Sequence, residues 1–379
     1  MNPNKRQLIL VGGGHTHALL LRRLIEEPLP GADLTLISDV EAAPYSGMLP
    51  GHVAGAYTYD EMHIDLGPLA ERAGACFVLD SAVGWDSESR EIKLKSRASW
   101  VGQDDSIISF NTGSAPDLTL VPGATDLAIP SKPVPQLLDG WHALLKASQI
   151  RPDQAVAIVG GGAGGVELAL AMRSQLPAES RVTLLPGTRE ILSAHPKAVR
   201  RKLERCLQKA GVNIAKGGRV TALRKDSDSR IKIELEANDR LDADAVFWVT
   251  WPAAPKWLRE SDLPLDDAGF IRVHPTLEVI GQANTFAVGD VAAIEGLPLP
   301  RAGVFAVRMA QPLEANLRSL WAGDTLTNYE PQVRFLSLIG TADGKAIVSR
   351  HGWPALLNRT VWTWKDRIDQ KFMRQFEAA

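Results

Sequence analysis

Two glycine-rich stretches carry the residues best suited to chemistry. Gly12-Gly13-Gly14-His15-Thr16-His17 follows the apolar run 8–11, and Gly160-Gly161-Gly162-Ala163-Gly164-Gly165 follows the apolar run 155–159. A strand that delivers its chain to glycines and then to a helix start can hold a pyrophosphate. The glycines let the backbone come close, and the helix offers unpaired N–H groups and its positive dipole end. Far downstream, Thr285-Phe286-Ala287-Val288-Gly289-Asp290 reads as a short strand ending in a glycine turn and a carboxylate. A carboxylate only accepts hydrogen bonds, which suits it to holding ribityl hydroxyls. One such loop is weak evidence. Two, with the aspartate segment behind them, point to a flavin in one domain and a nicotinamide nucleotide in another.

The loops are not equivalent. In the second, Gly160, Gly162 and Gly165 fill all three glycine positions, with Ala163 opening the helix. In the first, Gly12 and Gly14 are present but His17 stands third, where glycine normally allows close helix–strand packing. A histidine pair spaced by one residue is a poor zinc arrangement without further ligands, so no metal is expected at His15 and His17.

The elements that position these residues follow from the apolar pattern. A helix at 16–26 ends before Pro28 and Pro30, and 33–38 is the second strand. Ser38 ends that strand and Asp39 follows, a displaced partner for ribose hydroxyls. Residues 43–51, with Pro44, Tyr45, Met48 and Leu49, are too short in pattern for a helix and read either as a wall beside the isoalloxazine ring or as a surface turn. Residues 76–79 and 91–94 read as an inserted hairpin layer, and Ala82 and Val83 could offer backbone contacts to an adenine. Strand 107–111 ends in the small-residue turn Thr112-Gly113-Ser114, which lets a cofactor pass close. The Pro-rich loop 121–135 crosses into the second domain, before a helix at 136–148.

In the second domain the phosphate-loop helix is expected over 166–174 and the second strand over 181–185. Pro186-Gly187 stands where an NADH enzyme usually has an acid, and Arg189 nearby could meet a 2′-phosphate. Residues 198–210 read as a basic amphipathic helix with a solvated face, and 245–249 as the exit strand. The helix 303–320 could turn its positive end to the flavin's pyrimidine edge. A hairpin of 334–338 and 345–349 follows, with its turn at 341–344. The tail 358–376 reads as a helix with Val361, Trp364 or Lys365, Ile368, Phe372 and Phe376 on one stripe, and Arg359, Lys365, Arg367, Lys371 and Arg374 give it a basic character. Such a helix packs on its own domain, pairs with a second subunit, or lies on a membrane surface.

These elements assemble into an α/β protein of two Rossmann-like dinucleotide-binding domains with a small C-terminal α+β segment. The expected boundaries are 1–125 with 265–325 for the flavin domain, 150–255 for the nicotinamide domain, and 326–379 for the rest. Composition agrees: 379 residues, 45% hydrophobic and 23% charged, is ordinary globular usage. A net charge of -2 carries no basic signature for nucleic acid. No apolar stretch approaches the ~20 residues that span a bilayer, and the first strand is needed for the first loop, so it is not expected to be a removable signal peptide. A cytoplasmic protein is expected, or one peripheral at the inner face of a membrane. Cys76 and Cys206 are far apart, so no dithiol relay stands beside the flavin.

With these residues in hand, the chain resembles the pyridine nucleotide-disulfide oxidoreductase superfamily over its whole length. Within it, the resemblance is to the branch of type II NADH dehydrogenase-like flavoproteins that lacks the dithiol. It is similar to the flavoprotein module found fused in front of selenide, water dikinase. That likeness is carried by Val11-Gly12-Gly13-Gly14-His15-Thr16-His17, by Pro44-Tyr45-Ser46-Gly47-Met48-Leu49-Pro50-Gly51 and by Trp364-Lys365-Asp366-Arg367-Ile368-Asp369. The resemblance implies FAD at Gly12, Gly14, Asp39, Gly113 and Asp290, and a nicotinamide nucleotide at Gly160, Gly162 and Gly165. It also implies Lys132 near the flavin, a solvated loop lysine being the other reading. The activity implied is transfer of electrons from NAD(P)H through FAD to a quinone or another small acceptor, which could sit between residues 44–50, Gln311 and the tail. The flavin carries the chemistry, so no catalytic acid or base is assigned. Two other readings stand beside it: a flavoprotein tied to selenium metabolism, and a non-catalytic flavin-binding regulatory or interaction module. In the last, Pro186 and a bulky Trp251 would mark a vestigial second site.

Overall fold

The computed structural model describes residues 5–96, 99–187, 190–228, 230–250, 252–332 and 336–377. Arg189, Trp251 and Arg334, which the sequence singled out, lie outside the described residues.

Two five-stranded parallel sheets carry the two loops. In the first, Arg6–Val11 lies between Ala32–Ser38 and Ile107–Phe110, with Cys76–Leu79 and Thr285–Ala287 at the edges. All four pairings are parallel, with Val11 opposite both Ile37 and Phe110. A parallel strand covered on both faces reads as a continuous apolar run, and Leu8, Ile9, Leu10 and Val11 are each fully buried. In the second sheet Ala155–Val159 lies between Arg181–Leu185 and Ala245–Trp248, with Val212–Ile214 and Ala128–Pro130 at the edges. Side-chain alternation splits its two faces. Val156, Ile158 and Phe247 join the large core against the helices. Ala157, Val159, Val246 and Trp248 join a second core beneath the antiparallel sheet 220–243.

Several expectations are corrected. Cys76–Leu79 is the outer strand of the first parallel sheet, paired with Ala32–Ser38, and not part of the inserted layer. The inserted layer is instead Ala82–Asp86, Glu91–Leu94 and Ser99–Val101. Residues 43–51 do enter regular structure: Ala42–Pro44 pairs with His63–Asp65, and Leu49–Val53 is a short helix with Pro50 in its first turn, where a missing N–H costs nothing. The Pro-rich stretch contains the helix Ala124–Leu127 and the edge strand Ala128–Pro130. The helix of the second loop starts earlier, at Ala163, and runs to Gln175. The basic helix Lys197–Lys209 is not wholly a solvated face, since Val199, Leu203 and Leu207 are buried.

The C-terminal strands Ser337–Gly340 and Ala346–Ser349 form the expected antiparallel hairpin, joined by a third strand, Leu357–Asn358. Asn358 then caps the helix Arg359–Arg374 by accepting from the Val361 N–H. The segment is helical as expected, and of its expected stripe Val361, Lys365, Phe372 and Phe376 turn inward while Trp364 and Ile368 do not. Val361, Lys365, Asp369 and Met373 face inward, while Trp364 and Ile368 are exposed. The reason is that Lys365 and Asp369, one turn apart, satisfy each other at 2.6 Å, so an ion pair occupies what hydrophobicity assigned to Ile368. The helix spans both parallel-sheet units. Arg22 donates to Gln375 O and Arg72 to Phe376 O on one side, while the hairpin beneath it receives His195 at Ser349 and Lys202 at Ala355 O on the other.

Candidate functional site

The first loop is shaped by backbone crowding. Gly12 has φ +98°, and a Cβ there would stand 2.4 Å from Asn111 O. A Cβ on Gly13 would meet Leu66 at 2.3 Å and the Ser38 hydroxyl at 2.8 Å. One on Gly14 would lie 2.6 Å from the Asn111 amide, and one on Gly289 2.5 Å from it. Asn111 is therefore wedged between the loop and the aspartate turn, with its Nδ2 buried and unpartnered. Thr112 Oγ1 and His15 Nε2 are also buried without partners. The His15 ring donates to Pro44 O, so Nδ1 carries the proton and Nε2 is a bare acceptor. Burial and the nearby Lys132 charge lower the His15 pKa to about 4, which keeps it neutral. Native interiors satisfy almost every buried polar group. An amide donor, a hydroxyl and a bare acceptor left open together fit a ligand bearing both oxyanions and hydroxyls. The pyrophosphate and ribityl chain of the FAD expected at this loop carry both kinds of group.

Asp290 lies at the meeting of four segments. Its Oδ2 accepts from Lys132 Nζ at 2.9 Å and from Ser114 Oγ at 3.0 Å, and Arg301 donates to its backbone oxygen at 2.8 Å. Burial alone would raise its pKa. The Lys132 charge and the bonds from Lys132 and Ser114 outweigh burial and hold it below the usual carboxylate range. Asp290 thus stays a charged acceptor. The helix Gly303–Ala322 begins beside it, with Gly303 close to Ser46 and Ala306 O accepting from Thr16.

Other sequence-predicted residues take distinct places. Gly113 has φ +73° and open space around it, as a close-approach position needs. Met48 and Leu49 are buried, and Tyr45 stacks on Phe372 of the C-terminal helix at 4.4 Å with His15 edge-on at 5.5 Å. Ser38 is buried but donates to Val40 O, and Asp39 is exposed. Ala82 and Val83 lie on the inserted sheet, Val83 turned to solvent. Gln311 is exposed on the outer side of its helix.

In the second loop Gly160, φ +137°, would place a Cβ 2.2 Å from Val249 O, and Gly165 would place one 1.9 Å from Gly160 O. A Cβ on Gly161 would lie 2.6 Å from the Pro186 side chain, so Pro186 closes the strand end directly against the loop. Gly162, the cap residue before Ala163, has nothing within 4 Å of such an atom. The loop is tight where it meets protein and open where the helix N-terminus faces out, which fits a dinucleotide pyrophosphate.

Residues 6–311 match the family model described as pyridine nucleotide-disulphide oxidoreductase. The chain belongs to that family. It is a flavin-dependent NAD(P)H oxidoreductase, with FAD and NAD(P)H as the cofactors of its family. It is 24% identical over 342 residues to the NADH dehydrogenase-like protein YutJ of Bacillus subtilis, covering 90% of this chain and 91% of the relative. It is 29% identical over 196 residues to the type II NADH:quinone oxidoreductase Ndh of Mycobacterium tuberculosis, covering 46% of this chain and 40% of the relative. In fold it is similar to NDH2 of Plasmodium falciparum, solved in complex with NADH. The TM-score is 0.79 at 13% identity, over 98% of this chain and 97% of that one. The family name speaks of disulphides, but Cys76 and Cys206 of this member are both free thiols.

Sequence reasoning gave four residues no part in the site. Asn111 was signalled only as a polar end to an apolar strand. Glu167, two residues past Gly165, is a carboxyl on an otherwise apolar stretch of helix; its side chain accepts from Gly340 N–H at 2.7 Å. Lys365 was named as one choice for the inward stripe and Asp369 only within the family string, although their i,i+4 spacing is the signal that could have paired them. Tyr45 Oη donates to Asp369 at 3.3 Å, and Lys365 Nζ donates to Gly47 O at 2.8 Å. The C-terminal helix thereby roofs the flavin-side loop.

Proposed function

We propose that the chain passes electrons from NADH or NADPH through FAD to a quinone. When bound, FAD supplies the two-electron exchange between the nicotinamide and the acceptor. The residues proposed to hold it are those of the first loop and its surroundings. Gly12, Gly13 and Gly14 admit the pyrophosphate, and Asn111 and Thr112 donate to it. Asp290, fixed by Lys132 and Ser114, receives the ribityl hydroxyls, and His15 accepts a further one. Gly160, Gly162, Ala163 and Gly165 receive the nicotinamide nucleotide. The observation that carries the reading is the convergence of unpartnered polar atoms around Asp290, whose pKa is held down by Lys132 and Ser114. The acceptor is read as a quinone because a relative of this chain is an NADH:quinone oxidoreductase, and because two separate free thiols offer no dithiol to relay electrons to a disulfide.

The test is anaerobic reoxidation of the reduced protein. A water-soluble quinone is expected to restore the oxidised flavin spectrum and oxidised glutathione to leave it unchanged; the reverse would overturn the quinone reading. We place the protein at the inner face of a membrane through its C-terminal segment. Among the described residues no helix is long and apolar enough to cross a membrane. Trp353, Leu356, Trp364 and Ile368 are exposed there, near Arg359, Arg367 and Lys371. Apolar side chains beside cations suit an anionic lipid surface. Co-sedimentation with anionic vesicles checks this, and a salt-insensitive dimer without vesicle binding would favour a subunit interface.

A further inference from the structure

NADH and NADPH differ only at the adenosine ribose, which bears a free 2′-hydroxyl in one and a 2′-phosphate in the other. In dinucleotide folds that ribose lies past the end of the strand that follows the phosphate-loop helix. A carboxylate there accepts from the ribose hydroxyls and repels a phosphate. In this chain the strand is Arg181–Leu185, and it ends at Pro186 and Gly187. A proline side chain accepts nothing, and its nitrogen has no proton to donate. Glu190, the first acid beyond the strand, turns to Arg200.

The same edge carries positive charge. Strand Arg181–Leu185 pairs in parallel with Val212–Ile214, with Leu184 opposite Ile214. The Ala215 N–H donates to Leu184 O at 2.9 Å, so the two chains run on in step and Lys216 comes alongside Pro186. Arg219 reaches the edge just after it. Gly187 has φ +70°, and a Cβ there would stand 3.5 Å from Arg219 Cγ, so the arginine stem lies over the glycine. The Arg219 main chain is anchored on both sides: its N–H donates to the Glu236 carboxylate at 3.0 Å, and the Glu236 N–H donates to Arg219 O at 3.0 Å. Arg224, Arg230 and Lys232 of the neighbouring antiparallel sheet each meet a carboxylate. Lys216 and Arg219 are exposed and form no ion pair among the described residues. Asp239, which lies against Gly217, pairs with neither.

We propose that the second loop takes NADPH in preference to NADH, with Arg219 selecting the 2′-phosphate and Lys216 supporting it; this rests on the nucleotide reading of that loop above. The pyrophosphate meets the open side of Gly162, and the 2′-phosphate meets the Arg219 guanidinium over Gly187. A guanidinium presents paired N–H donors that match phosphate oxygens, and the ammonium adds a point charge. Pro186 contributes by what it lacks, since a carboxylate in its place would favour the hydroxyl. Arg189, to which the sequence gave this contact, lies outside the described residues. Arg219 is far downstream of it and is joined to the strand end only by the fold.

Two fragments read the site with no electron moving: 2′,5′-ADP, which carries the 2′-phosphate, and 5′-AMP, which does not. Each is titrated by calorimetry into the flavin-loaded protein, whose first loop is then occupied. 2′,5′-ADP is expected to bind at least about ten-fold tighter, and the difference to shrink as salt rises. Arg219→Ala is expected to bring the two affinities within about two-fold of each other. Lys216→Ala is expected to narrow the gap by about two- to three-fold, and Pro186→Glu to reverse the order. Equal binding of the two fragments by the unmodified protein would overturn the proposal, as would an Arg219→Ala protein that keeps the full preference. Equal weakening of both fragments in Arg219→Ala, with a lowered melting temperature, would make the arginine a structural residue and remove it as the selector. A preference for 2′,5′-ADP in a protein whose flavin neither NADPH nor NADH reduces would support the site and sink the electron-transfer reading instead. If neither fragment binds, the nucleotide reading of the second loop has failed and the proposal with it.

Discussion

The two nucleotide loops solve one packing problem in two ways. In the second, Gly165 sits so close to Gly160 that a Cβ would stand 1.9 Å from its carbonyl oxygen. In the first, the same position holds His17, wholly buried, and the space a glycine would leave is filled by a bonded ring. His17 Nδ1 meets Gly12 O at 2.8 Å and Nε2 meets Ser109 Oγ at 2.8 Å. A carbonyl can only accept, so Nδ1 carries the proton and Nε2 accepts from Ser109. The difference teaches that the third glycine is not itself a phosphate ligand. It is one way of settling the distance between helix and strand, and a neutral histidine that satisfies the freed carbonyl is another.

The largest expected effect comes from Gly165→Ala. The overlap with Gly160 O can be relieved only by moving backbone, so stability is expected to fall by more than about 3 kcal/mol. Nucleotide affinity in the second unit is expected to fall by two orders of magnitude or so, while flavin stays bound. Melting and nucleotide titration measure both, and unaltered affinity in Gly165→Ala would break the comparison. Next is His17→Ala, which leaves a buried carbonyl and hydroxyl unpaired beside a cavity. It is expected to cost about 2–4 kcal/mol, read by denaturant unfolding.

The same histidine sharpens the comparison through pH. Burial lowers His17 to about 4, with the bond to Gly12 O opposing. Below an unfolded value of about 6.5 the unfolded chain binds a proton that the folded chain refuses. Stability is therefore expected to fall as pH drops from about 6.5 to about 4, by on the order of 3 kcal/mol, and to be indifferent to this group above that window. His17→Gln, which can still donate and accept, is expected to flatten the slope. An unchanged slope would mean that His17 is not its source. The smallest effect on the fold is expected at Gly162→Ala, where nothing lies within 4 Å of the added atom. Stability should move by less than about 1 kcal/mol, yet nicotinamide nucleotide binding should weaken, because the open space is where the ligand would lie. Equal affinity would show that the space is not used.

Much of this arrangement was legible because it rests on local constraints. A buried parallel strand, a positive-φ glycine and a helix start leave their marks within a dozen residues, so Gly12, Gly113, Gly160 and Gly289 could be singled out from spacing alone. What was hidden depends on contacts across hundreds of residues. Cys76–Leu79 reads like any short strand until its partner, Ala32–Ser38, is known. Lys365 was left as an alternative to Trp364 and Asp369 was given no place, because nothing local says that each will be buried against the other and against Tyr45 and Gly47. Hydrophobicity placed Trp364 and Ile368 inward, and a satisfied ion pair displaced them. Asn111 was missed because its role, filling the gap between Gly14 and Gly289, exists only once both turns are brought together.

The two loops are proposed to serve one electron path, with a nicotinamide nucleotide at the second delivering to FAD at the first. Anaerobic titration of the flavin-loaded protein with NADPH and then NADH, followed by flavin absorbance, tests it most directly. Bleaching of the oxidised flavin by at least one nucleotide is expected, and its loss in Gly165→Ala. A bound flavin that neither nucleotide bleaches would contradict it.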